Sequence, residues 1–210
     1  MTTLTGIDGL LPMVAGLPAG RRLIALAGAP ASGKSRLAQE LADRLTEAGR
    51  AAQVVPMDGF HLANPILQAR GLLHRKGAPE SFDLDGFKRL LGALRAGGEV
   101  VFPTFDRALD TAIAGAGVVA ADCDCVVVEG NYLLLDEPGW RDLAGFWDLS
   151  VRLEVPRDVL LARLLDRWRD HGLDPAAART RAEGNDMANA DRMVAHALPP
   201  DIILKPADRP

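Results

Sequence analysis

Apolar and polar positions change period repeatedly along this chain, and each change marks an element. Short continuous apolar runs fall at 22–27, 52–57, 99–102, 118–121, 125–129, 149–155 and 201–204. Runs of that length, bounded by glycine or polar residues, predict strands buried on both faces. Between them the period turns helical. Leu37, Leu41 and Leu45, with Ala38 and Ala42, share one face of a helix expected over 34–48, and Phe87, Leu90, Leu91 and Leu94 do so within 84–96. Further helices are expected at 62–70, 139–145, 157–170 and, in pieces, 175–195. Alternation of this kind predicts an α/β fold: a mainly parallel sheet covered by helices on both faces. Residues 100–121, with Gly115 and Gly117, lack the helical period and predict a β-excursion in place of a crossover helix. All 210 residues are expected to form one domain, with residues 1–20 as an N-terminal packing segment that lacks the basic start of a signal peptide.

The first strand and helix are joined by a loop with chemistry of its own. Residues 28–35 read Gly-Ala-Pro-Ala-Ser-Gly-Lys-Ser, a complete GxxxxGK[ST] motif between strand and helix. Gly28 and Gly33 let the backbone curl so that its N–H groups converge on phosphate oxygens. Lys34 supplies a cation for the β- and γ-phosphates and Ser35 a hydroxyl for Mg²⁺. The candidate nucleotide contacts are therefore Gly28, Ala29, Pro30, Ala31, Ser32, Gly33, Lys34, Ser35 and Arg36. Ligands of open α/β sheets lie beyond the carboxyl ends of the strands. Two acids stand there. Asp58 follows the run 52–57 and Glu129 ends Val126-Val127-Val128. Asp58 is placed to take a proton from an attacking hydroxyl, and Glu129 to join Ser35 and Asp58 around a hard cation.

These pieces lie within longer matches. GAPASGKS, MDGFH, ESFD at 80–83, FPTFD at 102–106, VVVEGNYLL at 126–134 and RLLDRWRDHG at 163–172 resemble the P-loop small-molecule kinases that include uridine kinase, phosphoribulokinase and bacterial pantothenate kinase. MDGFHLAN, RKGAPESFD and EGNYLLLD are most similar to a bacterial subgroup labelled fructose-transport-system kinases. The likeness runs from Arg22 to Lys205. It implies ATP and Mg²⁺ as cofactors, Asp58 as general base, Glu129 in the magnesium shell and Asp83 on substrate hydroxyls. Asp83 has a second reading as a helix cap, for which Asp85 is the better candidate. Uridine kinases carry a Tyr and a His for the base where this chain has Phe105 and Asp110. Pyrimidine recognition loses two hydrogen-bonding groups thereby, and a sugar becomes the favoured acceptor over nucleoside, pantothenate-like and sugar-phosphate acceptors. Arg107 and His61 are expected to line the acceptor pocket. An arginine-rich helical lid over 157–195 is expected to bring Arg163, Arg167 and Arg169 over the triphosphate.

The remaining features narrow the field. Net charge is −4, which argues against duplex nucleic acid as partner, and no apolar run reaches membrane-spanning length. Cys123 and Cys125 lack nearby histidine partners and read as structural thiols, which suits the cytoplasm. The loop His74-Arg75-Lys76-Gly77 reads either as a solvated charge run or as a grip on a substrate phosphate, and Asn185-Asp186 as the start of a helix over Met187–Val194 or as an approach to adenine. A regulatory GTPase is disfavoured because Asn-Lys-x-Asp is missing. A non-catalytic nucleotide sensor would not require an acid at position 58. The expected partners are ATP and a small-molecule hydroxyl acceptor, without nucleic acid or membrane, and with a homodimer left open.

Overall fold

The computed structural model describes residues 1–207. Its elements in chain order are β1 (Thr2–Thr5), α1 (Gly6–Ala15), β2 (Arg22–Gly28), α2 (Lys34–Glu47), β3 (Ala52–Pro56), α3 (Asn64–Ala69), α4 (Leu84–Ala96), β4 (Val100–Asp106), β5 (Thr111–Val119), β6 (Cys125–Gly130), β7 (Leu149–Leu153), α5 (Arg157–Asp170), α6 (Pro175–Arg181), α7 (Ala188–Ala195) and β8 (Ile202–Lys205). Six strands form one sheet in the order β1-β8-β7-β2-β6-β3, parallel throughout, and β4 and β5 form a separate antiparallel pair.

Alternating side chains of the central strands feed two cores. Leu23, Ala25 and Ala27 of β2, with Val126 and Val128 of β6, face Phe87, Leu90, Leu91 and Leu94 of α4. Ile24 and Leu26, with Val127, face Leu10 and Val14 of α1 and Ala38, Leu41 and Leu45 of α2. A strand with both faces covered is apolar along its length, as 23–27 and 125–128 are, with Arg22 and Glu129 at the ends of those runs.

Several boundaries differ from the sequence expectation. The N-terminal segment contributes β1, which pairs with β8 at the sheet edge, and then α1. The β-excursion is a single hairpin whose strands extend beyond 99–102 and 118–121. The stretch expected as a helix at 139–145 is a 3₁₀ turn, Arg141–Phe146. The pieces over 175–195 join into α6, a π-helical segment (Ala182–Met187) and α7; the helix expected over Met187–Val194 is α7, capped by Met187 and continuous with the π-helical segment before it. Cys123 and Cys125 are buried in different cores, one on each side of the sheet. Burial pushes both thiols above the ordinary range.

Strand β3 ends at Pro56, and Met57–Phe60 forms a 3₁₀ turn that carries Asp58. Gly59 permits this turn to press on the hairpin, because a Cβ there would run into the carbonyl of Pro103 on β4. Gly59→Ala should therefore cost about 1–3 kcal/mol in urea unfolding, the range for overpacking. Gly92→Ala, inside α4 with open space around it, should gain about 0.5–1 kcal/mol in the same assay.

Candidate active site

Register places the two acids and the phosphate loop in a row. Glu129 of β6 is level with Leu26 of β2 on one side and Pro56 of β3 on the other. Two residues past Leu26 the chain enters the loop at Gly28, and two residues past Pro56 it reaches Asp58. The loop bends through positive φ at Ala31 (61°) and Gly33 (89°). Gly28 packs beneath it, where a Cβ would lie 2.8 Å from Ser32 Oγ. Helix α2 begins with Gly33 as its cap, without a side-chain cap and without an acid in its first turn. Its free N–H groups and partial positive charge are thus left for an anion.

Glu129 is buried and accepts a hydrogen bond from Ser35 Oγ at 3.0 Å. Burial raises its carboxyl above the ordinary value, Lys34 pulls it back down, and Asp58 raises it further. A hydroxyl with two nearby carboxylates is a donor set suited to a hard divalent cation, and Mg²⁺ fits it. Ser32 Oγ is buried with no partner, a second polar group in the loop with unused hydrogen-bonding capacity.

A cleft of about 310 Å³ opens over this row. Pro30, Ala31, Gly33, Lys34, Ser35 and Arg36 form its phosphate-loop wall. Asp58, His61, Lys76, Phe105, Arg107 and Asp110 form a second part, contributed by the β3 turn, the 74–77 loop and the hairpin. These six side chains are interlocked. Arg107 pairs with Asp58 at 3.0 Å, and Lys76 pairs with Asp110 at 2.8 Å while donating to Asn64 Oδ1 at 2.7 Å. Asp110 adopts a φ of 50° at the hairpin tip, and these bonds pin it there. The His61 ring lies 4.8 Å from Phe105, and its Nδ1 is 2.8 Å from the Asp58 carbonyl. A carbonyl only accepts, so Nδ1 carries the proton and Nε2 is the acceptor. Burial holds the His61 pKa below its usual value, against the pull of Asp58, and favours that neutral form.

The structure redistributes the other expected site residues. Arg167 lines the cleft. Arg163 points under the loop and donates to the carbonyls of Ala31 and Ser32, each at 3.3 Å. Arg169 is turned away from the cleft and pairs with Asp166 at 3.1 Å, because residues two apart on a helix point about 200° apart. Asp83 is also outside the cleft lining; it caps α4 by accepting from Gly86 N–H at 2.9 Å, the role expected of Asp85. Lys76, whose side chain is only 10% exposed, is a wall of the cleft and not a solvated charge. Gly77, Asn131, Trp168, Arg181 and Asp186 complete the lining. Asn131 follows Glu129-Gly130 at the end of β6, a position that the strand-end rule reaches. Trp168 had no comparable signal.

Comparison with known proteins places this arrangement. The model for the phosphoribulokinase/uridine kinase family matches residues 23–177. The chain belongs to that family. It is an ATP-dependent P-loop kinase of small molecules. It is similar to the uncharacterized protein YggC of Escherichia coli (strain K12), 34% identical over 93% of this chain and 84% of that one. It is equally similar, 34% identical over 88% and 83%, to a protein of Schizosaccharomyces pombe named as a putative uridine kinase. Among solved structures, a putative fructose transport system kinase from Silicibacter sp. TM1040 matches with a TM-score of 0.88 and 55% identity, over 93% of this chain and 95% of that one. Among the described residues, no helix of this kinase is long and apolar enough to cross a membrane.

The buried acid makes one prediction about stability. A carboxyl whose pKa rises on folding binds more protons folded than unfolded, so stability falls as pH climbs above its ordinary 4.5. Glu129→Gln, measured in EDTA without nucleotide, should melt higher than the parent at pH 7. The advantage should shrink as pH falls toward 4.5, and thermal unfolding at several pH values checks it.

Proposed function

We propose that this kinase transfers the γ-phosphate of ATP to a hydroxyl of a small neutral polyol, a sugar first among candidates, with Asp58 as general base. Lys34, Arg36 and the N-terminus of α2 would hold the β- and γ-phosphates, and Arg167 would meet the charge that spreads over the transferring group. Arg163 would act through the loop, by fixing the carbonyls of Ala31 and Ser32. Ser35, Glu129 and Asp58 would hold Mg²⁺, which when bound neutralises phosphate charge. Asp58 lies beside the loop wall and within the acceptor part of the cleft, where a base must stand to accept the hydroxyl proton.

The charge pattern carries the choice of acceptor. On the acceptor part each cation has its own carboxylate, Arg107 with Asp58 and Lys76 with Asp110. Among the described residues, Lys34, Arg36, Arg167 and Arg181 form no ion pair within 4.0 Å. The unpaired cations suit a triphosphate. The paired ones present donors and acceptors side by side, a match for vicinal hydroxyls, and an anionic acceptor would meet two carboxylates. Phe105 and the neutral His61 ring, tilted by 46° to each other, add ring surface for the C–H face of a sugar, with Nε2 free to accept a hydroxyl. The name carried by the Silicibacter structure points the same way.

A coupled assay of ADP release should discriminate. Across hexoses, pentoses, nucleosides, pantothenate and sugar phosphates, a neutral sugar or polyol should turn over at least about tenfold faster than uridine, cytidine or any anionic acceptor. Efficient phosphorylation of uridine or of a sugar phosphate, with neutral sugars inert, would overturn this assignment.

A further inference from the structure

Trp168 is the side chain around which two of the unpaired cations of the cleft, Arg167 and Arg181, are assembled. Its indole N–H donates to Asp186 Oδ2 at 2.6 Å. The guanidinium of Arg167 lies 5.6 Å from a ring centroid of the indole and that of Arg181 lies 5.2 Å from it. All four residues line the cleft. They come from three consecutive elements: Arg167 and Trp168 from α5, Arg181 from the end of α6, and Asp186 from the π-helical segment. A π-turn inserts an extra residue into a helix and re-aims the side chains that follow, a device found often at functional sites.

Two guanidinium groups brought together from different helices repel each other. Three contacts offset that repulsion here. The indole face attracts each cation, the Asp186 carboxylate supplies the opposite charge, and Arg181 donates to the carbonyls of His74 and Lys76. The ring itself is seated. Trp168 packs on Leu160, Leu164, Ala182 and Met187, a cluster that also takes in Ala29 and Ala31 of the phosphate loop.

We infer that Trp168 is a positioning residue for the triphosphate: anchored by Asp186 and packed on the apolar cluster that also holds Ala29 and Ala31 of the phosphate loop, it gathers Arg167 and Arg181 over the cleft before nucleotide arrives. The inference rests on the reading that Arg167 contacts the phosphates of ATP. A residue acting in this way affects nucleotides in proportion to their phosphates and leaves the adenosine end alone. An indole used to stack adenine would affect them all.

Calorimetric titration of ATP and AMP into the parent, Arg167→Ala, Trp168→Phe and Trp168→Leu separates these cases, with no acceptor needed. Trp168→Leu should weaken ATP about tenfold, the scale of one lost charge-assisted contact, and leave AMP within about twofold. Trp168→Phe keeps an aromatic face without the N–H and should fall between parent and Trp168→Leu; it carries the test if the leucine variant fails to fold. Equal losses for ATP and AMP would overturn the inference in favour of adenine stacking. Parental ATP affinity in both Trp168 variants, with Arg167→Ala weakened, would overturn the positioning role alone. Parental affinity in Arg167→Ala as well would remove the underlying reading of Arg167.

Discussion

Parallel pairing of β3, β6 and β2 is the constraint on which the site depends. Neighbouring strands of a sheet lie about 4.8 Å apart, and parallel register sends their carboxyl ends to one edge. That edge receives the phosphate loop, Glu129 and Asp58 in a row, each within one or two residues of a strand end. Nothing in the row is positioned by a long loop. The two apolar cores that hold the strands in register, with α4 on one face and α1 and α2 on the other, thereby set the geometry of this row. Gly59 extends the same logic outward, since close approach of the Asp58 turn to Pro103 of β4 holds the hairpin against the site.

Charge in the cleft is arranged in two ways. A carboxylate buried at the end of β6 costs stability unless compensated, and the bond from Ser35 together with Lys34 compensates it only in part, since burial still dominates its shift. The proposed Mg²⁺ and triphosphate would supply the missing compensation, at the expense of the empty fold. Across the cleft the pairing is complete. Asp58 with Arg107 and Asp110 with Lys76 keep that part near neutrality, the basis for proposing an uncharged acceptor beside a highly charged donor.

The legible part of this protein in its sequence is the part built locally. The phosphate loop, Asp58 and Glu129 each follow an apolar run directly, so finding the strand finds the residue. Thr2–Thr5 escaped that logic because a short edge strand needs no apolar run, and Thr-Thr-Leu-Thr has none. Asp83 and Asp85 differ by two positions, and only backbone geometry shows which one caps α4. Arg167 and Arg169 look alike in sequence, yet helical rotation sends them in opposite directions. Pairings such as Lys76 with Asp110, and the π-segment that presents Asp186 to Trp168, join residues far apart or break the 3.6-residue period. Neither leaves a periodic trace in the sequence.

The central claim is that the row at the strand ends transfers phosphate to an acceptor hydroxyl through Asp58. Comparing Asp58→Asn with the parent, on the acceptor that supports turnover, addresses it most directly, because Asn keeps the shape of the side chain and cannot take the proton. Turnover should fall by about 10²–10⁴-fold, the usual scale for a lost general base, while ATP affinity stays close to that of the parent. Phosphorylation at the parental rate by purified Asp58→Asn protein would contradict the account.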